Sequence, residues 1–238
     1  MSRVRLYIET KISKSIGIKI SKDQNHYLKN VMKIRKGEVI LIFNSISGEW
    51  SAEYGNGRLT AINCLRQKEQ LGLDIWVCFS LIKPKKINYL IEKVSEIGVT
   101  KVFPLITEHS HKHIFKTKRL QKIAVESVEQ SNGINIPHIM DTIHLKIFLE
   151  NFNKDREIIV CDETENDTNI FSVLKKIEGK KIAIFIGPIG GWSKIERDIF
   201  LNLSNCKRVS LGDRLLKSDT AAIYALSCIK ALQIGKFK

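Results

Sequence analysis

The sequence predicts an α/β protein with a mainly parallel sheet covered by helices on both faces, preceded by a small β-rich domain. Three observations predict it. From about residue 72 onward, short apolar runs alternate with segments of helical spacing, the rhythm of a parallel sheet with helices on either side. Before about residue 70, strand-like runs recur with turn residues between them, the rhythm of a small barrel or sandwich. Near the C-terminus, two glycine-bearing loops each follow a strand-like run and precede a helix, the place where open α/β sheets bind ligands. The predicted domains are 1–70 and 72–238.

In the first domain Val39–Phe43, Trp50–Tyr54 and Leu59–Leu65 read as strands, with Asn44 to Gly48 and Gly55 to Gly57 as the turns between them. His26–Met32 is a helix-like piece. In the second domain Ile75–Ile82 reads as a buried strand. Residues 86–97 put Ile87, Leu90, Ile91, Val94 and Ile97 at helical spacing, and Gly98 ends that helix. Val102–Ile106 is a strand and 117–131 a helix; Ile158–Cys161 is a strand and 169–177 a helix. Lys181–Ile186 is a strand, and Ser193 opens a helix with Glu196 completing a capping box. After the short run Arg208–Ser210, Ser218 is a natural N-cap for a last helix over roughly 219–232, with Asp219 well placed in its first turn. Capping and a chemical role for Asp219 are compatible.

A chain of 238 residues with 43% hydrophobic and 27% charged content is long enough for a real core. Its net charge of +14 points to a polyanionic partner, nucleic acid or an anionic membrane, unless a lysine-rich genome is its source. No apolar run approaches the roughly 18 residues of a spanning helix. The first residues lack a signal-peptide core. A cytoplasmic protein with no membrane partner is expected. Residues 1–70 hold 13 basic and 6 acidic residues, so half of the positive excess lies in under a third of the chain. A basic β-domain joined to an α/β domain pairs a nucleic-acid grip with a chemical site.

Cys64, Cys78, Cys161, Cys206 and Cys228 are too far apart for a zinc ribbon or a redox pair. Three of them, Cys78, Cys161 and Cys228, sit in apolar runs as small hydrophobes. His109, His111 and His113 alternate as on one strand face, but no carboxylate or thiol partner lies in their segment, and no metal is expected. Lys112, Lys116, Lys118, Arg119 and Lys122 could meet phosphates or form a solvated face. Trp50 could stack on a base or pack the barrel, and Trp192 could shield a ligand.

The first loop is Gly187-Pro188-Ile189-Gly190-Gly191-Trp192-Ser193 and the second is Leu211-Gly212-Asp213-Arg214-Leu215-Leu216-Lys217-Ser218-Asp219-Thr220-Ala221. Glycine lets backbone approach a ligand closely, and Pro188 stiffens the turn. Neither loop has the spacing of a Walker loop or a dinucleotide fingerprint. Each alone could be a tight turn with no ligand; together they form a small-molecule pocket built mostly of backbone.

These motifs resemble the SPOUT class of methyltransferases, specifically the RsmE-like family that methylates N3 of a uridine in 16S ribosomal RNA. Besides the two loops, Arg5-Leu6-Tyr7, the segment from His26 to Gly37, Glu92-Lys93-Val94-Ser95-Glu96-Ile97-Gly98-Val99 and Glu129-Gln130-Ser131 match the family in order. The chain departs from it at Ile189, where the family has Glu, at Lys217 and Asp219 for Arg and Glu, and at Lys33 for Arg. Asn132-Gly133-Ile134 stands where an Arg often follows.

The resemblance implies a trefoil-knotted methyltransferase domain, a PUA-like RNA-binding barrel before it, and a homodimer. It also implies S-adenosyl-L-methionine bound by Ile186, Gly187, Pro188, Gly190, Gly191, Leu211, Gly212, Leu215, Leu216, Ser218 and Thr220. Asp219 is the candidate base, with Lys217, Arg5 or Arg214 as cation beside the developing uridine anion. Arg3, Arg5, His26, Lys33, Arg35, Lys83, Lys116 and Arg119 would contact RNA of the small ribosomal subunit. An RNA-binding relative that has lost catalysis, or an enzyme acting on a ribose hydroxyl, are the alternatives.

Overall fold

The computed structural model describes residues 4–236, apart from 56, 69–71, 114 and 166–167, with side chains through 232. Two compact units divide the chain: Met1–Gln70 with Val128–Ile136, and Leu71–Ser127 with Pro137–Lys238.

The first unit holds β1 (Arg5–Tyr7), β2 (Gly17–Lys19), α1 (Lys22–His26), β3 (Val39–Asn44), β4 (Gly48–Gly55) and β5 (Arg58–Arg66). Its sheet runs β1-β3-β4-β5-β2. The pair β1–β3 is parallel and the others are antiparallel. Among the described residues the β1 and β2 edges do not pair, so the sheet is a half-barrel. Its core is aliphatic, with Leu6, Ile18, Leu28, Ile40, Ile42 and Leu59 buried together. The helix-like piece expected over His26–Met32 is a composite. A capping box of Ser21 and Gln24 starts α1, which then widens into a π-helical turn over Tyr27–Val31. Trp50 packs against this core and donates to Ser47 O at 2.8 Å. Residues Val128–Ile136 join the unit because Val128 and Ile134 bury against Phe43.

The second unit holds β6 (Asp74–Ser80), α2 (Pro84–Ile97), β7 (Lys101–Ile106), α3 (Thr117–Gln130), β8 (His138–Ile139), β9 (Ile143–His144), α4 (Leu145–Glu150), β10 (Glu157–Cys161), α5 (Ile170–Leu174), β11 (Lys181–Ile186), α6 (Lys194–Leu201), β12 (Cys206–Val209) and α7 (Ser218–Lys236). Every pairing in its sheet is parallel, in the order β12-β10-β11-β6-β7-β8, with β9 also on β7. Successive side chains of a strand point to opposite faces. On one face Cys78, Val160, Ala183 and Phe185 pack with Phe148 and Leu149 of α4 and Phe200 of α6. Their neighbours Val77, Ile159, Ile184 and Ile186 are buried toward the other, where α7 lies on β11 and packs with α2 and α5.

The strand order positions the site. The chain passes from β10 to β11, then returns past β10 to reach β12. Such a reversal leaves a crevice beyond the carboxyl ends of the strands, and the two glycine loops leave β11 and β12 there.

Candidate active site

The loop after β11 and the loop after β12 enclose a cavity of about 490 Å³. Its wall is completed by Cys161, Asp162 and Glu163 at the end of β10 and by Ser218 and Ala221 of α7. The capping box expected at Ser193 forms: Ser193 Oγ accepts from Glu196 N–H at 3.3 Å, and Glu196 Oε2 accepts from Ser193 N–H at 2.9 Å. The other oxygen of Glu196 accepts from Glu108 N–H at 2.9 Å, which ties this loop to the turn after β7. Gly191 N–H donates to Pro188 O at 3.0 Å to close the turn. Gly191 has φ +70, which strains any side-chain-bearing residue, and a Cβ there would lie 1.8 Å from Glu163 Oε1, so the carboxylate would have to shift.

Ser218 differs from its expected role. Its hydroxyl donates to Gly187 O at 2.7 Å, joining the two loops across the cavity, and does not cap α7. The helix begins instead with Ala221 N–H donating to Lys217 O at 2.8 Å. Trp192 also departs from expectation. It is 1% exposed, packs edge-on against Phe200 and donates from Nε1 to Cys161 O at 2.9 Å. It braces the loop from beneath and does not line the cavity.

Eight of the predicted cofactor residues line the cavity: Ile186, Gly187, Pro188, Leu211, Gly212, Leu215, Leu216 and Ser218. Gly190, Gly191 and Thr220 do not. Gly190 backs onto the His109 ring and Gly191 O lies 3.1 Å from His109 Nδ1, while Thr220 is exposed on α7. Arg214 lines the cavity and Lys217 is exposed beside it. Asp219, next to the lining residue Ser218, is half-buried and does not itself line the cavity; its two oxygens lie 3.0 and 2.9 Å from Lys86 Nζ of α2.

Arg5 corrects the expectation most sharply. It is 6% exposed and spends its donors inside the first unit. Nε meets Glu49 at 2.7 Å, Nη1 meets Val128 O and Glu129 O at 2.9 and 3.1 Å, and Nη2 meets Gly133 O at 2.8 Å. Its guanidinium also lies 4.3 Å from the centre of the Phe43 ring. Four of its five N–H groups are thus engaged within the first unit. Of the other predicted RNA residues, His26, Lys33 and Arg35 are exposed on the first unit and Lys83, Lys116 and Arg119 on the second; Arg3 lies outside the described residues.

The cavity carries acidic groups that the loop motifs did not announce. Asp162 Oδ2 accepts from Arg197 Nε at 3.2 Å and Arg208 Nε at 3.0 Å. Burial alone would raise the Asp162 carboxyl, but hydrogen bonds from Thr164 and the charges of Arg197 and Arg208 outweigh it and hold it below the ordinary carboxylate value. Burial pushes the Cys161 thiol up, so it stays a neutral part of the wall. The signal for Asp162 and Glu163 was an acidic pair directly after a buried strand. For Lys86 no local pattern distinguishes it from a surface residue, and the alternation of His109, His111 and His113 does not announce a contact with the glycine loop.

The residues present fit S-adenosylmethionine. The volume falls in the range of about 300–1,000 Å³ usual for sites of such molecules. Backbone from both loops offers donors and acceptors, Ile186, Leu211 and Leu216 offer apolar surface, and Glu163 and Asp213 offer carboxylates to a cation. Among the described residues, no group of three or more His, Cys, Asp or Glu is arranged to hold a metal ion, and no helix is long and apolar enough to cross a membrane.

Comparison with known proteins agrees with this geometry. Residues 69–230 match the profile of the RNA methyltransferase domain, and residues 20–62 that of the RNA methyltransferase PUA domain. The chain is 26% identical over 234 residues to the ribosomal RNA small subunit methyltransferase E of Rickettsia conorii, covering 96% of this chain and 95% of that one. It is 26% identical over 226 residues to the enzyme of that name from Bacillus subtilis, covering 88% of each. In fold it is similar to the Neisseria gonorrhoeae ribosomal RNA small subunit methyltransferase E bound to S-adenosyl methionine, with a TM-score of 0.84 at 22% identity over 97% of this chain and 98% of that one. A match over most of its length, on a sheet whose crevice holds both signature loops, means that the chain belongs to the RNA methyltransferase domain family.

Proposed function

We propose that this protein transfers a methyl group from S-adenosylmethionine to N3 of a uridine in the 16S RNA of the small ribosomal subunit. One observation carries the reading: the Ser218–Gly187 hydrogen bond ties the two loops of an RNA methyltransferase domain around one cavity. The relatives' names support the ribosomal substrate. The return of the chain past β10 supports the knotted path that the resemblance implies. Cytoplasmic action follows from a ribosomal substrate. A working homodimer is part of the proposal, since Leu215, 78% exposed at the cavity edge, and Tyr224 on α7 leave apolar surface for a second copy to cover.

When bound, S-adenosylmethionine supplies an electrophilic methyl group on a sulfonium. Uridine N3 carries a proton, and the base must be unpaired or flipped before that atom is accessible. Asp219 is the proposed acceptor of the N3 proton. Lys86 fixes its carboxylate from the α2 side before the base arrives, so little reorientation is needed during the transfer. Lys217 and Arg214, both exposed on the second loop, are the proposed cations beside the uridine oxygens as negative charge develops. The apolar faces of Leu211 and Leu216 exclude water from the donor side.

The test is nucleoside mass spectrometry of small-subunit RNA after incubation with the protein and S-adenosylmethionine. The proposal expects 3-methyluridine; a ribose-methylated nucleoside overturns the N3 assignment. In the same assay Asp219→Asn should lower the rate at least about 100-fold, as loss of a general base does, and unchanged turnover removes Asp219 from that role.

A further inference from the structure

Glu163, a charged group on the cavity wall, has no part in the mechanism above. It lies two residues beyond β10, lines the cavity, and its side chain is 36% exposed, so its carboxylate can be reached by a ligand. Yet it is held firmly. Oε1 accepts from Arg197 Nη2 at 3.1 Å and rests against the Cα of Gly191, where any Cβ would collide with it. Arg197 is aimed in turn by Asp162, which also takes Arg208; Arg208 Nη2 then donates to Thr164 Oγ1 at 3.0 Å. The loop after β10 is thus pinned on both sides of Glu163. Asp213, the other exposed carboxylate of the wall, makes no ion pair among the described residues.

An exposed ion pair of this kind adds little to stability, and a glycine at φ +70 that accommodates it adds nothing by itself. What the arrangement does provide is a carboxylate whose rotamer is set before a ligand binds, which lowers the entropy lost on binding. The chemistry of the ligand matches. S-adenosylmethionine bears a sulfonium, an α-ammonium and a ribose diol, so it offers positive charge and several N–H and O–H donors to a fixed carboxylate.

We propose that Glu163 is a binding residue for the methyl donor, accepting hydrogen bonds from its N–H or O–H groups. The proposal rests on the S-adenosylmethionine site argued above. The donors could be the ribose hydroxyls or the α-ammonium, and one experiment separates them. Calorimetry is run on the full chain with S-adenosylmethionine and with methylthioadenosine, which keeps the adenosine but lacks the amino-acid tail. Glu163→Gln should bind S-adenosylmethionine about tenfold more weakly. Glu163→Asp, which keeps the charge but falls one methylene short, should also lose affinity. A parallel loss for methylthioadenosine assigns the ribose; a loss confined to S-adenosylmethionine assigns the ammonium; both support the proposal. Glu163→Gln binding both compounds as the unaltered protein does overturns it. Failure of the unaltered protein to bind either compound overturns the proposed function itself, which is a separate result.

Discussion

Arg5 illustrates why a motif residue need not act on a substrate. The Arg-x-aromatic pattern at Arg5 and Tyr7 marks a packing hub: one guanidinium neutralises Glu49, satisfies three carbonyl oxygens and covers the Phe43 ring. Lysine is an equally charged replacement but lacks the planar fork that serves several acceptors at once. Arg5→Lys should therefore destabilise the protein by about 2–4 kcal/mol, because buried acceptors lose their partners. Denaturant unfolding measures this. Methyl transfer well below the unfolding midpoint should stay within about twofold of the unaltered protein; a large rate loss without destabilisation would return Arg5 to the reaction. The sequence carried the importance of Arg5 but not its reason, because its partners lie as far as 128 positions away in the chain.

At the scale of elements, the long ones were legible. Ile87, Leu90, Ile91 and Val94 all bury on α2, and the apolar run Lys181–Ile186 is β11 to the residue. Two-residue strands such as β8 and β9 have no period to read, and α4, only six residues long, offers too few turns for a helical spacing to stand out. The loops themselves could be found, but the link between them could not, since Ser218 reads equally well as a cap. Ser218→Ala should weaken S-adenosylmethionine binding roughly fivefold, about 1 kcal/mol, by freeing one loop from the other; binding unchanged in calorimetry would mean that the loops hold their shape without that bond. The loop after β10 makes a second prediction. The Asp162 carboxyl is held below its ordinary value of 3.8, so its contribution to stability is full above that value and is lost as the pH falls through the lower folded one. Asp162→Asn should cost roughly 2–3 kcal/mol at neutral pH by leaving Arg197 and Arg208 without their shared acceptor. It should also flatten the loss of stability below about pH 4. Urea midpoints at several pH values read both, and a variant as acid-sensitive as the unaltered protein would contradict the assignment.

For the whole molecule, the sequence supplied the charge, the two glycine loops and the order of strands and helices along the chain. It did not supply the strand order that brings those loops together, with β12 returning past β10, since no local pattern encodes it. Nor did it supply Asp162, Glu163 and His109, whose neighbours in space are remote in sequence. With a net charge of +14, binding to small-subunit RNA should weaken at least about tenfold between roughly 50 and 200 mM salt, and affinity insensitive to salt would argue against phosphate contacts. Whether the loops after β11 and β12 jointly clasp a methyl donor is decided by a crystal of the protein soaked with S-adenosylmethionine. The donor should lie between Gly187–Ile189 and Leu211–Leu216, with Glu163 in contact; loops closed on their own side chains, or a donor bound elsewhere, would rule the clasp out.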